Sequence, residues 1–230
     1  MIYIFTGCDR SGKTTLAKRL SKELNGEYIH FSAPNSLEDG KKEYYNFISS
    51  INDKTYILDR FYECEDIYAP IYRNYSLNYQ DDIEQLLNCH NVMFIYVKTP
   101  LDIIKERIKK CGENFVKWDD LQKVIDNYES FFAKTKIPYI IISGDYKDIN
   151  VPINTIKKKM NQLTILKQFY KKHNSFSYGN LTSDIIVINE NDNNVRDIDD
   201  LTYMWISNKT NYDFDASVLN KYEFIFHRKD

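Results

Sequence analysis

Glycine and proline are scarce, with 7 and 5 among 230 residues. That excludes collagen-like and low-complexity architectures and makes each glycine a positional clue. The 4 cysteines, Cys8, Cys64, Cys89 and Cys111, lie far apart and form no C-x-x-C pair. The 4 histidines, His30, His90, His173 and His227, are equally scattered, so neither a zinc spacing nor a disulfide framework is written in the chain. Free thiols in a reducing compartment are the expectation. Neither sign of charge dominates: 31 Lys and Arg face 33 Asp and Glu, a formal net charge of −2. This disfavours a generally cationic nucleic-acid binder, although a local basic groove remains compatible with it. No apolar run approaches the roughly 20 residues that a membrane-spanning helix needs. The sequence enters an apolar strand pattern directly, without a cationic leader or small-residue cleavage site. The expectation is a soluble cytoplasmic protein with no membrane partner.

Aromatic residues are plentiful, 19 Tyr and 13 Phe. They are expected chiefly in the core and on amphipathic surfaces rather than as stacking platforms.

Two of the few glycines stand at positions with a mechanism. Gly7-Cys8-Asp9-Arg10-Ser11-Gly12-Lys13-Thr14 fits G-x-x-x-x-G-K-[ST], directly after the apolar run Ile2-Tyr3-Ile4-Phe5. Leu16, Leu20 and Leu24 follow at helical spacing. Strand, loop and helix in that order are the setting a phosphate-binding loop requires. Its backbone N–H groups around Arg10, Ser11, Gly12 and Lys13 converge on a phosphate, aided by the positive end of the helix. Lys13 then bridges the β- and γ-phosphates, the Thr14 hydroxyl ligates Mg²⁺, and Thr15 faces the α-phosphate. The cofactors implied are ATP and Mg²⁺.

Further along, the pattern predicts strands at 2–6, 28–31, 55–58, 92–97 and 139–143. Helices are predicted at 41–51, 65–73, 81–87, 101–110, 119–134 and 152–172. Short, continuously apolar strands alternating with helices describe a parallel sheet covered on both faces. The fold class is therefore α/β, a P-loop NTPase three-layer αβα with a five-stranded parallel sheet, plus a small C-terminal α/β extension. Residues 1–172 are read as the nucleotide-binding domain and 173–230 as an extension of open role. In that extension, 184–188 and 222–226 read as strands and 199–206 as a helix. The run Lys157-Lys158-Lys159 is expected on a solvated helix face.

Ligands collect at the carboxyl ends of such strands. Asp59-Arg60 ends one of them: a carboxylate there can hold Mg²⁺ through water, and an arginine can grip a phosphate bidentately. The alternative is a salt bridge at a strand end. Ser143-Gly144-Asp145 ends another. Arg107, Lys109 and Lys110 place three cations at a helix end before Gly112. They either complement the helix dipole or belong to a lid, near 107–118, that closes over the phosphates.

The loop, with Asp9-Arg10 just ahead of Gly12-Lys13, resembles that of thymidylate kinases. Asp59-Arg60-Phe61 resembles their D-R-[YF] motif. The segments 94–97, Thr99-Pro100 and 101–107 are similar to their fourth strand and lid helix, and 140–145 to the strand and loop that pack near adenine. The resemblance covers roughly residues 1–165. It implies ATP as phosphoryl donor and a deoxynucleotide or close relative as acceptor, with dTMP or a modified pyrimidine nucleotide first. It also implies that Asp9 touches the acceptor sugar, Arg10 the transferring phosphoryl group and Arg60 the acceptor phosphate. On this basis Lys13, Arg10, Asp59, Arg60 and Arg107 are the catalytic candidates. Gly7, Asp9, Arg10, Ser11, Gly12, Lys13, Thr14, Thr15 and Asp145 are the ATP candidates, and Thr14 and Asp59 the metal candidates. Acceptor candidates are Asp9, Arg60, Phe61 and Arg73.

One departure matters. The interval from Thr14 to Asp59 has room for only one strand and one helix, and it lacks the Asn-Arg pair of thymidylate kinases. The acceptor pocket must be built differently, from Phe31, Tyr44, Phe61, Tyr62, Tyr68 and Arg73. Short chains of this kind resemble virus-encoded members of the family, which would place the protein in a host cytoplasm. A deoxynucleoside kinase stays open, with Glu63 or Glu65 as general base, as do a kinase acting on a hydroxyl within a nucleic acid, which is not favoured, and a non-enzymatic NTP-binding regulator. The partner expected is a small-molecule nucleotide or nucleoside. A homodimer is compatible with the pattern, and residues 173–230 could serve docking or oligomerisation.

Overall fold

The structure is a computed structural model that describes residues 1–111 and 116–172 and two short strands at 186–187 and 204–205. Five strands, β1 (Ile2–Thr6), β2 (Glu27–His30), β3 (Tyr56–Asp59), β4 (Val92–Lys98) and β5 (Tyr139–Ser143), form a sheet in the order β2-β3-β1-β4-β5. Every pairing in it is parallel.

Alternation along each strand divides the core. Ile2 and Ile4 of β1 and Phe94 and Tyr96 of β4 face one side. Tyr3, Phe5, Ile95 and Val97 face the other. On the second side lie α1 (Lys13–Leu24), through Leu16, Ala17 and Leu20, and α7 (Asn150–Lys172), through Ile153, Ile156, Met160 and Leu163. The first side carries α2 (Leu37–Ser50), α3 (Glu63–Tyr72), α4 (Gln80–Leu87), α5 (Leu101–Cys111) and α6 (Leu121–Phe132). Each fully buried leucine or isoleucine here contributes about 1.5–3 kcal/mol. The three-layer αβα fold with a five-stranded parallel sheet read from the sequence, that of a P-loop NTPase, is thus present, with β1 at the centre where the strand order reverses. Such a switch point opens a crevice at the carboxyl ends of the strands.

Element boundaries shift for local reasons. Helix α2 begins at Leu37 rather than 41, because the Ser36 hydroxyl caps it by accepting from the Asp39 N–H at 3.1 Å. The parallel register extends β2 back to Glu27, opposite Tyr56. The segment 119–134 opens as a 3-10 turn, Trp118–Asp120, before α6 begins.

Two sequence readings are corrected. Lys159 is buried, not solvated, and Lys157 is half-buried and pairs with Glu23 at 3.0 Å, so of the triple-lysine run only Lys158 is exposed. Within 199–206, Met204–Trp205 is a strand, β7, antiparallel to β6 (Ile186–Val187), as suits an aromatic and apolar run of high strand preference. The strand read at 222–226 lies outside the described residues, as do residues 112–115 of the lid segment. No helix among the described residues is long and apolar enough to cross a membrane.

Candidate active site

The loop between β1 and α1 is held from several directions. Gly7 has φ +145°, and a Cβ there would sit 2.5 Å from the Val97 carbonyl oxygen of β4, so only glycine lets the loop lie this close. Its own carbonyl accepts from the Tyr128 hydroxyl of α6 at 2.9 Å. The Thr99 hydroxyl donates to the Ser11 carbonyl at 3.0 Å. Arg10, with φ 63°, and Arg60, with φ 71°, both occupy the left-handed region, at about 1–2 kcal/mol each. Such conformations persist where the surrounding structure over-determines them. Helix α1 opens at Gly12 with no side-chain cap, leaving its first N–H groups for an anion.

Lys13 is buried and donates to the Cys8 carbonyl at 3.3 Å. Its ammonium lies 3.8 Å from Asp9 Oδ1. Burial lowers its pKa, and the Arg60 charge lowers it further, against the pull of Asp9 and Asp59. Asp9 is ion-paired with Arg60. Arg60 also lies 5.7 Å from the ring centroid of Tyr68, a cation–π contact.

Asp59, fully buried at the end of β3, accepts on Oδ2 from the Thr14 hydroxyl at 2.7 Å and the Tyr28 hydroxyl at 2.8 Å. His30 Nδ1 lies 3.2 Å from the same oxygen. Asp59 Oδ1 is buried without a partner. A hydroxyl beside a carboxylate with a spare oxygen is a hard-oxygen set that suits Mg²⁺. No cluster of three or more His, Cys, Asp or Glu among the described residues could hold a metal by itself. The arrangement therefore fits a cation that brings phosphate oxygens with it.

Two cavities flank this framework. The larger, about 650 Å³, is lined by Asp9, Arg10, Gly12, Lys13, Thr14, Thr15, Arg60, Arg107, Cys111 and Tyr146. Arg107 of α5 reaches across it, donating to the carbonyls of Arg10 at 3.0 Å, Ser11 at 3.2 Å and Gly144 at 2.8 Å. The smaller, about 220 Å³, has aromatic walls of Phe31, Tyr44, Phe61 and Tyr68, with His30, Cys64, Glu65 and Arg73 also lining it. Phe61 meets Phe31 and Tyr44 edge to face at centroid distances of 4.8 and 4.9 Å. Arg60 lines both cavities.

Most of the residues singled out in the sequence come together here. Gly7 and Ser11 support the loop from behind, where Ser11 is fully buried. Asp145 is exposed and lines neither cavity; its neighbour Tyr146 lines the larger one. Tyr62 lies in the core, its hydroxyl donating to Glu84 at 2.9 Å, and lines neither cavity. Glu63 is fully buried and also lines neither. Burial raises its carboxyl to about 7. Sequence reading missed Tyr28, His30, Thr99, Tyr128 and Tyr146, most of which act at long sequence separation. Only Tyr146, beside the strand-end glycine Gly144, had a local signal.

No family model matches the chain. The SPbeta prophage-derived uncharacterized protein YorR of Bacillus subtilis (strain 168) is 24% identical over 136 residues, 57% of this chain and 82% of YorR. The crystal structure of YorR in complex with phosphorylated GDP aligns with a TM-score of 0.61 at 19% identity, over 75% of this chain and 99% of that one. Deoxyadenosine kinase from M. mycoides with bound dATP aligns with a TM-score of 0.52 at 18% identity, over 70% of this chain and 100% of that one. These likenesses show the P-loop nucleotide-kinase fold.

Proposed function

We propose that the protein transfers the γ-phosphoryl group of ATP, with Mg²⁺, to a deoxynucleoside monophosphate. One observation carries this reading: a phosphate-loop cavity and an aromatic cavity meet at a single arginine, Arg60, that lines both. An aromatic slot suits a nucleobase, and a shared guanidinium suits a phosphoryl group passing between two ligands. The likeness in fold to YorR in complex with phosphorylated GDP and to deoxyadenosine kinase with bound dATP supports nucleotide ligands and a kinase reaction.

In this reading the N–H groups of Arg10, Gly12 and Lys13 cradle the β-phosphate, the Ser11 N–H being held instead by the Cys8 carbonyl at 3.1 Å, with Thr15 near the α-phosphate. Lys13 bridges β- and γ-oxygens. Thr14 and Asp59 hold Mg²⁺, which neutralises phosphate charge when bound. Arg10 and Arg107 neutralise charge on the transferring group, and Arg107 with Tyr146 flanks the donor nucleotide. Asp9 meets the acceptor sugar, Arg60 its phosphate, and Phe61 and Arg73 line the base end. Phosphoryl transfer asks mostly for positioning and charge neutralisation, which these residues provide. All of them fall within residues 1–172, the proposed catalytic domain.

A deoxynucleoside kinase is the second reading, because the same cavity suits a nucleoside. It needs a base beside the reacting hydroxyl. Glu63 lines neither cavity, and Glu65 lines the aromatic cavity but not the phosphate-loop cavity, ion-paired there with Arg73. That favours the monophosphate. The test is ADP formation from ATP·Mg²⁺ with each deoxynucleoside, each deoxynucleoside monophosphate (dTMP and modified pyrimidines included) and oligonucleotides. A monophosphate should stimulate ADP release and become a diphosphate. ADP release indifferent to every acceptor would instead indicate a regulatory ATPase and overturn the proposal.

A further inference from the structure

The base end of the smaller cavity carries a buried carboxylate and a guanidinium side by side. Glu65 is 1% exposed, and its Oε1 accepts from Arg73 Nη2 at 2.6 Å. Its Oε2 accepts from the Tyr75 hydroxyl. Arg73 Nη1 donates to the Pro34 carbonyl at 3.1 Å, while Arg73 Nε is buried and has no partner in the protein. Both side chains line the cavity. A buried ion pair is weak evidence for stability, since an apolar pair of similar volume often serves as well. Here the pair sits at an aromatic slot, with one donor unused and with a carboxylate that can accept up to about four hydrogen bonds.

We infer that Glu65 and Arg73 read the base of the acceptor, and that the base is guanine. The inference rests on the assignment of this cavity to the acceptor. A carboxylate presents two parallel acceptor oxygens, and its best complement is two adjacent N–H donors. Guanine offers them, N1–H and the 2-amino group, on one edge. Its O6 and N7 then face a guanidinium, the pairing that makes arginine the commonest reader of guanine. Thymine offers one N–H flanked by two carbonyl oxygens, which the Glu65 carboxylate repels. Cytosine and adenine offer a single amino group and leave one Glu65 oxygen facing an acceptor atom. A polar site built for one edge discriminates strongly against bases that leave its buried groups unpaired.

The experiment measures binding by calorimetry and turnover by ADP release for dGMP, dIMP, dAMP, dCMP and dTMP. It uses the full chain and its Glu65→Gln variant. Hypoxanthine in dIMP differs from guanine only in lacking the 2-amino group. The wild type should prefer dGMP over dIMP by about 10- to 100-fold, the loss of one hydrogen bond to a charged group. The dGMP-to-dIMP ratio should collapse toward one in Glu65→Gln, because a glutamine oxygen accepts only one of the two N–H donors. A purely structural Glu65 would weaken both ligands alike and keep the ratio. Equal wild-type affinity for dGMP and dIMP, or tighter binding of dTMP, dCMP or dAMP, overturns the inference. Should the variant fail to fold, the wild-type panel still decides. Selective dGMP binding without ADP release would sustain the guanine inference while removing the kinase reading. ADP release with dTMP preferred would do the reverse.

Discussion

The Thr14 hydroxyl, on the first turn of α1, donates to Asp59 Oδ2 at the end of β3 across 2.7 Å. This contact ties the phosphate loop to strand β3 through the two residues proposed to hold Mg²⁺. Replacing Thr14 by Val keeps the shape and removes the hydroxyl. The expected outcome is a rise of about 10- to 100-fold in the Mg²⁺ needed for half-maximal turnover. Asp59→Asn should act in the same direction. An unchanged Mg²⁺ titration in both variants would remove these residues from the metal site.

Lys13 is a buried cation whose pKa is lowered by burial and then by Arg60. Work on a phosphate ligand, as proposed, would explain its retention against that cost. Lys13→Met should reduce kcat on the order of 100- to 1000-fold. The thermal midpoint should stay level or rise, since a desolvated charge has been removed. A variant that loses activity only by unfolding would show the lysine to be structural.

Glu63 makes stability depend on pH. Burial raises its carboxyl from the usual 4.5 to about 7 in the folded protein. The folded state therefore keeps a proton that the unfolded state releases. The contribution is complete below pH 4.5 and is lost as pH rises through about 7. Its full size is about 3 kcal/mol. Melting curves from pH 4.5 to 8 should show wild type declining relative to Glu63→Gln. Parallel profiles for the two proteins would contradict this.

Gly144 packs against the phosphate loop. A Cβ there would lie 1.7 Å from the Thr99 hydroxyl oxygen and 2.4 Å from the Ser11 carbonyl oxygen. Gly144→Ala must push the loops apart and also disturb the carbonyl that Arg107 grips. A loss of about 2–3 kcal/mol in unfolding free energy is expected, with a raised KM for ATP. Denaturant unfolding and initial-rate kinetics read the two effects separately.

Sequence reading succeeded where the signal was local. The loop motif, the five apolar runs and the Leu16–Leu20 stripe each declare themselves within a few residues. It failed where contacts join distant segments. Tyr128 meets the Gly7 carbonyl 121 residues away, and Thr99 meets Ser11 at a separation of 88. Neither has a motif. Glu65 and Arg73 stood in view as separate candidates, but their pairing depends on how the chain turns after α3. The Ser36 cap was legible in principle, as a serine three residues before an aspartate whose N–H it accepts.

Arg60 lines both cavities and is ion-paired to Asp9 of the phosphate loop. On the proposed function, one fixed charge would serve two anionic ligands and make their affinities interdependent. If a bound donor changes acceptor affinity by some factor, the acceptor must change donor affinity by the same factor. Cutting the Asp9 tether should alter that shared factor more than either affinity alone. On the proposed function, Asp9 and Arg60 would set whether the two nucleotides enter as helpers or as competitors.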